Sequence, residues 1–201
     1  MALAALLLAY LLGAIPFGYL LVRMLAGTDI REAGSGNIGA TNVLRTTGRA
    51  AGIATLLLDG LKGYLAVYLA ARLTHGDPLW TSLAALAVMA GHAYPVFLKF
   101  RGGKAVATFI GAYLFLTPLP LLAVLVVFVA TVAATRFISL GSILAAGTFP
   151  LAVWLIDHPG LPLVASAVFS GAFIVYRHQD NLRRLHAGTE RVFQFSGKRA
   201  G

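Results

Sequence analysis

The stretch ALAALLLAYLLGAIPFGYLLV, residues 2–22, decides the class of fold that this chain adopts. It runs for 21 residues without a charged side chain. About 20 apolar residues cross a bilayer as an α-helix, so the stretch predicts a membrane span. A signal peptide is the alternative, but no Lys or Arg precedes the run, and the run is longer than the apolar core of a typical signal peptide.

The composition of the whole chain agrees with a membrane protein. Of its 201 residues, 59% are hydrophobic and only 11% are charged, whereas soluble domains carry about 25% charged residues. The mean hydropathy is +0.83. The chain contains no cysteine, which excludes disulfides and a thiol nucleophile. We therefore expect one all-α, polytopic integral membrane domain over residues 1–201.

Further apolar segments follow the first. Residues 105–135 form an uncharged run of 31 residues, which as a helix of about 46 Å is too long for one span. Pro118 and Pro120 lie near its middle and should divide it into two. The other apolar segments are residues 52–72, 79–98, 140–156 and 161–176. The sequence thus predicts seven transmembrane helices.

The basic residues are distributed unevenly between the two sides of this seven-span arrangement. The loops on one side hold nearly all of them, whereas the opposite loops hold none and Arg72 lies only at a helix end. The positive-inside rule assigns basic loops to the cytoplasm, so we expect the N-terminus outside and the C-terminus in the cytoplasm. The net charge of +9 reflects this bias, and no nucleic-acid partner is expected. The predicted cytoplasmic segments are residues 23–51, 99–104 and 177–201.

The segment GSGNIGATN, residues 34–42, contains a Gly-x-Gly-x-x-Gly pattern. That pattern binds dinucleotides only between a strand and a helix, whereas here it follows the polar segment TDIREA between two predicted membrane helices. Successive glycines can still turn backbone N–H groups toward an anion, and small polar side chains add further donors. The segment predicts a phosphate cradle, with a flexible loop as the alternative. Its candidate residues are Gly34, Gly36, Asn37, Gly39, Thr41 and Asn42.

The segment KFRGGKAVAT, residues 99–108, places two glycines between cations at the start of a predicted helix. It is not a Walker A motif, because Ala105 stands where that motif has Ser or Thr. Gly102, Gly103 and Lys104 could still offer backbone N–H groups, a helix N-terminus and a cation to an anion. Ordinary positive-inside flanking is the alternative, mainly for Lys99 and Arg101.

Two more polar segments fall at predicted cytoplasmic helix ends. The serines of SLGS, residues 139–142, are either a phosphate contact, for which we choose Ser142, or ordinary helix packing. In YRHQDN, residues 176–181, His178 and Asn181 share a helix face if the helix continues, with a surface histidine as the alternative. We expect all four segments to meet at the cytoplasmic face. The candidate cations there are Arg45, Lys104, Arg177 and Arg184.

Ionisable residues also occur inside the predicted spans. Asp59 and Lys62 are three residues apart in the second span, and we interpret them mainly as a buried structural pair, because ionic groups within a membrane need partners. His92 lies beside the Pro95 bend and is interpreted as support for the core or for a loop. The sequence holds no carboxylate cluster spaced for Mg²⁺, no zinc-ligand set and no H-x-x-x-x-D pair. No metal and no cofactor are expected.

Three ordered segments, GSGNIGATNVLRTTGR (34–49), GHAYPVFLKFRGGKAVAT (91–108) and YRHQDNLRRLHAGTE (176–190), resemble the motifs of the bacterial acyl-phosphate:glycerol-3-phosphate acyltransferase (PlsY) family. The resemblance implies a multi-pass enzyme of phospholipid synthesis in the bacterial inner membrane, with its active site facing the cytoplasm. It would transfer a fatty acyl group from acyl phosphate to the 1-hydroxyl of glycerol 3-phosphate, yielding lysophosphatidate and phosphate. We expect a functional monomer in contact with membrane lipid.

The family's substrate-contacting residues fall on matching positions of this chain, and Glu190, which closes the third motif, would orient the cations. The general base is left open between a substrate phosphate and His178. One departure is visible, since the family usually has glycine where Ala105 stands. A methyl group there should be tolerated if the backbone is helical, but it could narrow the phosphate site. The matching catalytic positions are Ser35, Arg45, Lys104, His178 and Asn181.

Without the resemblance, two other function classes stay open. A membrane anion or phosphate transporter could use the same cations and broken helices. Against it, the polar residues cluster at one predicted face and not at the midplane. A membrane lipid phosphotransferase would need a second histidine base or metal carboxylates, which the sequence does not offer.

Overall fold

The structure is a computed structural model and describes residues 1–193. These residues form ten α-helices and two short 3-10 turns, at Ile30–Glu32 and Val96–Leu98, without a β-strand. The predicted all-α class is confirmed. The helices are α1 (Ala2–Ala14), α2 (Phe17–Ala26), α3 (Ala40–Thr46), α4 (Arg49–Leu73), α5 (Pro78–Ala93), α6 (Val106–Leu116), α7 (Pro118–Thr135), α8 (Ile138–Ile156), α9 (Leu161–Arg177) and α10 (Gln179–His186).

The helix lengths support a polytopic membrane protein. Within residues 1–193, five helical segments are long and apolar enough to cross a membrane, and the first of them joins α1 and α2. A sixth results if α9 and α10 count as one bent span. Helix α6 has only 11 residues, or about 16 Å, which falls short of a hydrocarbon core of about 30 Å. The predicted number of seven spans therefore does not follow from helix length alone. Residues 194–201, the end of the predicted cytoplasmic segment, lie outside the described residues.

Prolines divide the apolar runs. The stretch that predicted the first span is interrupted at Ile15–Pro16, between α1 and α2, and the 25-residue span then continues to Ala26. Proline has no N–H group to donate, so a helix rarely passes through it without a break. The predicted division of residues 105–135 is also confirmed, because α6 ends at Leu116 and α7 begins at Pro118.

The described chain divides into two compact units, residues 1–115 and residues 116–193. In the amino-terminal unit, α1, α4 and α5 pack against one another. Glycines allow this close approach, since a Cβ atom at Gly13 would collide with the backbone of Val88, and one at Gly91 with the backbone of Tyr10. Close packing of small residues is how membrane helices associate where lipid offers no hydrophobic driving force.

The buried pair predicted in the second span is confirmed. Lys62 Nζ lies 2.8 Å from Asp59 Oδ1, and both side chains are almost fully buried. The same ammonium group donates a hydrogen bond to the carbonyl oxygen of Ile15 at 2.7 Å. The pair therefore also holds the break between α1 and α2.

The carboxy-terminal unit consists of α7, α8, α9 and α10. Helix α8 packs against both α7 and α9, and a Cβ atom at Gly171 of α9 would press against the backbone of Ala146 of α8. Helix α9 ends at Arg177, and the chain bends by 55° before α10. His178 and Asn181 were expected to share a helix face only if the helix continued, and this condition is not met.

Candidate active site

The glycine-rich loop between α2 and α3 is held mainly by the side chain of Asn42. Its carboxamide oxygen accepts the N–H of Ser35 at 2.9 Å. Its Nδ2 donates to the carbonyl oxygens of Ala33 at 3.0 Å and Asn37 at 2.8 Å, and more weakly to that of Ile30 at 3.4 Å. Asn42 is 2% exposed, so it shapes the loop, and the expectation that its amide serves as a donor for an anion does not fit this geometry.

The glycines of this loop provide backbone conformations that other residues rarely adopt. Gly34 has a φ of +61° and Gly36 a φ of +70°. A Cβ atom at Gly34 would also collide with the Asn42 carboxamide. The N–H of Gly36 donates to Ala33 at 3.0 Å, and that of Gly39 donates to the Asn37 side chain at 2.8 Å. These N–H groups close the loop on itself, while the side chain of Ser35 is exposed on its surface.

Two cations near the loop differ in their surroundings. Arg31 is paired with Asp29 at 2.6 Å, and its guanidinium carbon lies 5.2 Å from the centre of the Tyr19 ring. The hydrogen bond from Arg31 lowers the pKa of Asp29 and raises that of Arg31. Arg45 lies in the last turn of α3 with an exposed side chain, and Thr41 occupies the first turn of the same helix. Arg45 stays the predicted anion-binding cation of this motif.

The RGGK segment is fixed by its backbone. The N–H of Gly102 donates to the carbonyl oxygen of Ala93, and that of Gly103 donates to His92, both at 3.1 Å. The prediction that these two N–H groups face an anion is contradicted, because both bond to the end of α5. The helix begins at Val106, two residues after Lys104, whose side chain is half-buried.

Ala105 has a backbone conformation that the sequence did not indicate. Its φ is +60°, so the backbone is left-handed and not right-handed helical, and the residue is fully buried. The methyl group of residue 105 was expected to be tolerated if the backbone there was helical, and this condition is not met. A left-handed conformation costs a non-glycine residue about 1–2 kcal/mol, and that strain is borne directly beside Lys104.

One hydrophobic cluster connects the first two motifs. Leu98, just before the RGGK segment, packs with Ile30, Ile38 and Val43 of the first motif region and with Val22 and Ala51. Tyr19 packs against the same cluster. The two motifs are thereby anchored in one core of the amino-terminal unit, whereas the predicted meeting of all four polar segments at the cytoplasmic face stays a prediction.

The third motif is organised by the carboxylate of Glu190. Its Oε1 accepts from Ser139 Oγ at 2.8 Å and from Asn181 Nδ2 at 2.7 Å, and its Oε2 accepts from Arg184 Nε at 2.8 Å. Burial opposes ionisation, but the hydrogen bonds from Asn181, Ser139 and Arg184 outweigh it, and the pKa of Glu190 is lowered. We call this group, Ser139, Asn181, Arg184 and Glu190, the Glu190 cluster.

The two serines of the SLGS segment differ in their hydrogen-bond partners. Ser139, at the start of SLGS, reaches the cluster, whereas the hydroxyl of Ser142 donates to the carbonyl oxygen of Ile138 at 3.0 Å. Ser142 therefore shows the ordinary helix packing that the sequence left as an alternative. The contact between Ser139 and Glu190 joins residues 51 positions apart, a separation that no local pattern reveals.

His178 lies at the bend between α9 and α10 and is 3% exposed, which contradicts the surface-histidine alternative. Its Nδ1 is 2.8 Å from the carbonyl oxygen of Ile174. A carbonyl oxygen only accepts, so Nδ1 carries the proton, and in the neutral ring Nε2 is the acceptor nitrogen. Arg177, the preceding residue, is half-buried. Among residues 1–193, no group of three His, Cys, Asp or Glu side chains could hold a metal ion.

A family model described as glycerol-3-phosphate acyltransferase matches residues 3–188. This chain belongs to that family. The acyltransferase is 49% identical over 186 residues to the glycerol-3-phosphate acyltransferase of Geotalea daltonii, covering 92% of this chain and 94% of the relative. It is 50% identical over 188 residues to that of Trichlorobacter lovleyi, with the same coverage.

Solved structures agree with this membership. The acyltransferase superposes with a TM-score of 0.90 and 38% identity on a crystal structure of PlsY (YgiH), an integral membrane glycerol 3-phosphate acyltransferase, in its glycerol 3-phosphate form, and the match covers 96% of both chains. The lysophosphatidic acid form of that protein gives a TM-score of 0.88 at 36% identity, covering 96% of this chain and 95% of the other. The transporter and phosphotransferase alternatives are not favoured.

Proposed function

We propose that the acyltransferase moves a fatty acyl group from acyl phosphate to the 1-hydroxyl of glycerol 3-phosphate, forming lysophosphatidate and inorganic phosphate. Its family membership makes it an integral membrane acyltransferase. The structural observation behind the assignment of residues from two motifs to one site is the shared cluster of Leu98, Ile30, Ile38 and Val43. It supports a common role for the motifs that contain Arg45 and Lys104.

Both proposed substrates carry phosphate groups with charges near −2. Two such groups about 6 Å apart repel each other by roughly 11 kcal/mol at an effective dielectric constant of 20. A site that holds both therefore needs cations, and we assign this role to Arg45 and Lys104. We assign the role of neutral donor to the exposed hydroxyl of Ser35. Cations also stabilise the charge that develops on the carbonyl oxygen and on the leaving phosphate.

The proposed acyl transfer needs only modest acid–base catalysis. Acyl phosphate is an activated mixed anhydride, so holding its carbonyl carbon against the hydroxyl of glycerol 3-phosphate supplies much of the acceleration. The base that takes the hydroxyl proton is a substrate phosphate, or else His178. The hydrogen bond from His178 Nδ1 to Ile174 suits the second choice, because it makes Nε2 the basic nitrogen.

The other polar residues of the third motif would bind and orient the substrates. Asn181 is held by Glu190, to which its Nδ2 donates at 2.7 Å. Arg184 and Arg177 supply further positive charge, with Arg184 fixed in direction by Glu190. The ionised Glu190 therefore acts through its neighbours, as the sequence suggested.

We assign the acyl tail to an apolar groove between α8 and α9. Its volume is about 490 Å³, and it is lined by Gly147, Pro150, Val168 and Gly171 among others, and by Tyr176 at the end nearest His178. Ligand pockets usually measure about 300–1,000 Å³. A side chain at Gly147 would meet open space, so Gly147→Leu should fill the groove without disturbing the helix.

Gly147→Leu should shift the preference from long to short acyl phosphates. Thr148→Leu is the matched control, because Thr148 is the neighbouring exposed residue of α8 and does not line the groove. Equal chain-length profiles for the two variants and the wild type would exclude this groove as the tail site.

We further propose seven spans in the bacterial inner membrane, with the N-terminus outside and the active site facing the cytoplasm. The unequal distribution of basic residues supports this orientation. Since the chain has no cysteine, single cysteines can report sidedness. His75→Cys should react with an impermeant thiol reagent in intact cells, and His186→Cys should not. The reverse pattern would overturn the orientation.

The proposed reaction is tested directly with purified protein. Palmitoyl phosphate and glycerol 3-phosphate should together yield lysophosphatidate and inorganic phosphate, and EDTA should not stop the reaction. Palmitoyl-CoA should be a poor donor. Efficient turnover of acyl-CoA would refute the proposed donor, and activity that EDTA abolishes and Mg²⁺ restores would refute metal independence.

A further inference from the structure

Three ionisable side chains form a buried group inside the amino-terminal unit. Asp59 and Lys62 of α4 and His92 of α5 are 2%, 3% and 4% exposed. Asp59 Oδ1 lies 2.8 Å from Lys62 Nζ and 3.6 Å from His92 Nδ1. Ionisable residues within membrane helices are costly and usually serve a function, yet none of the three belongs to the proposed substrate contacts.

One side of this group holds the first membrane span. Lys62 Nζ donates to the Ile15 carbonyl oxygen at 2.7 Å, at the break before Pro16, and lies 5.6 Å from the centre of the Phe17 ring. The ammonium group is thus fixed from α1 and α2 as well as by Asp59. The carboxylate that faces His92 is consequently held in place.

The other side of the group supports the RGGK segment. The His92 carbonyl oxygen accepts the N–H of Gly103, and the adjacent Ala93 carbonyl accepts that of Gly102. The His92 ring occupies the space where a Cβ atom of residue 103 would lie, with Nε2 the nearest atom. The ring therefore lies directly against Gly103, one residue before Lys104.

We propose that Asp59, held by Lys62, orients the His92 ring, and that this ring is the support that positions Lys104 for a substrate phosphate. His92 is thus a positioning residue for the transfer reaction. The inference rests on the proposed phosphate-binding role of Lys104. A purely structural ion pair could be replaced by apolar side chains with little loss, and it would need no ring packed against Gly103.

A double-mutant cycle separates positioning from general support. His92→Ala should lower kcat/KM for glycerol 3-phosphate about tenfold in the wild-type background, but less than about twofold in a Lys104→Ala background, because residues that act through each other are not additive. The loss should divide between kcat and KM as it does for Lys104→Ala. Met89→Ala is the matched control, since Met89 is a buried residue three positions earlier in α5, and its effect should be equal in both backgrounds.

A second test starts from a substitution at Gly103. Gly103→Ala should lower kcat/KM about tenfold or more, because the added methyl group pushes against the ring, and His92→Ala should restore part of that activity when combined with it. This rescue does not depend on the stability of His92→Ala alone, and it tests whether the ring and residue 103 share one space, as the proposal requires.

A third variant removes both charges together. Asp59→Leu with Lys62→Met avoids leaving one buried ion unpaired, and it should fold while reproducing the kinetic loss of His92→Ala. Wild-type kinetics in this variant, additive effects of His92→Ala and Lys104→Ala, or no rescue of Gly103→Ala would each overturn the inference. Turnover by the wild type, together with its loss in Lys104→Ala, shows separately whether the proposed function itself holds.

Discussion

The two glycine motifs of the amino-terminal unit look alike in sequence but are built on different principles. In the first, Gly34 and Gly36 supply left-handed backbone, and the loop is held together mainly by the side chain of Asn42. In the second, Gly102 and Gly103 supply space, and backbone hydrogen bonds tie the segment to α5. The only left-handed residue of the RGGKA stretch is Ala105, which is not a glycine.

This difference shows that a glycine pattern does not by itself indicate an anion-binding loop. In both motifs the N–H groups that the pattern offered are largely used within the protein. We propose that each motif acts on the substrate through its cationic side chain, Arg45 in the first and Lys104 in the second.

The largest effect should come from removing those cations. Lys104→Ala and Arg45→Ala should each lower kcat/KM by about 10²-fold or more, or about 2.7 kcal/mol of transition-state stabilisation. Ser35→Ala should cost less, because only one neutral hydroxyl is lost. Steady-state kinetics with both substrates varied would measure this. Arg101→Ala is the control, since Arg101 is exposed, and near-wild-type kinetics of Lys104→Ala would refute the assignment.

The next largest effect should come from Asn42, whose side chain holds the glycine-rich loop between α2 and α3. Asn42→Asp keeps an acceptor for the Ser35 N–H but loses the donations to Ala33 and Asn37, so it should destabilise the protein by about 2 kcal/mol. Thermal unfolding in detergent would measure the loss. Asn37→Ala removes only the acceptor for Gly39 and should cost less. An equal loss of stability in the two variants would show that the Asn42 side chain contributes no more to the loop than that of Asn37.

A paired exchange compares the left-handed positions of the two motifs. Ala105→Gly should stabilise the protein by about 0.5–1 kcal/mol, since relief of strain exceeds the added entropy of the unfolded chain. Gly36→Ala should destabilise it by about 1–2 kcal/mol for the opposite reason. Opposite shifts of the unfolding midpoint are expected. Shifts of the same sign would mean that backbone strain does not decide these two positions.

The smallest effect concerns the third motif, which uses a carboxylate instead of glycines. Because the pKa of Glu190 in the folded protein lies below its ordinary value of 4.5, its ionisation stabilises the fold fully above about pH 4.5, and this contribution is lost as the pH falls through the folded-state pKa. The difference in unfolding midpoint between wild type and Glu190→Gln should therefore shrink below pH 4.5. A constant difference down to pH 3 would contradict this.

Much of the architecture could be predicted from local sequence. The uncharged run of residues 2–22, the prolines at 118 and 120 and the spacing of Asp59 and Lys62 each depend on helix geometry and on the cost of charge in lipid. These features act over a few residues, so the sequence predicted an all-helical membrane protein and a buried ion pair. The three motifs likewise led to the family that the match over residues 3–188 establishes.

Tertiary structure alone decided which polar atoms are engaged. The bond between Ser139 and Glu190, the support of Gly103 by His92 and the left-handed backbone of Ala105 all depend on elements that meet only after folding. Local patterns identify donors and cations, but a buried donor must find whichever acceptor the packed chain brings near. For that reason the sequence determined which donors and cations this enzyme carries, and the fold determined which of the donors are engaged within the protein.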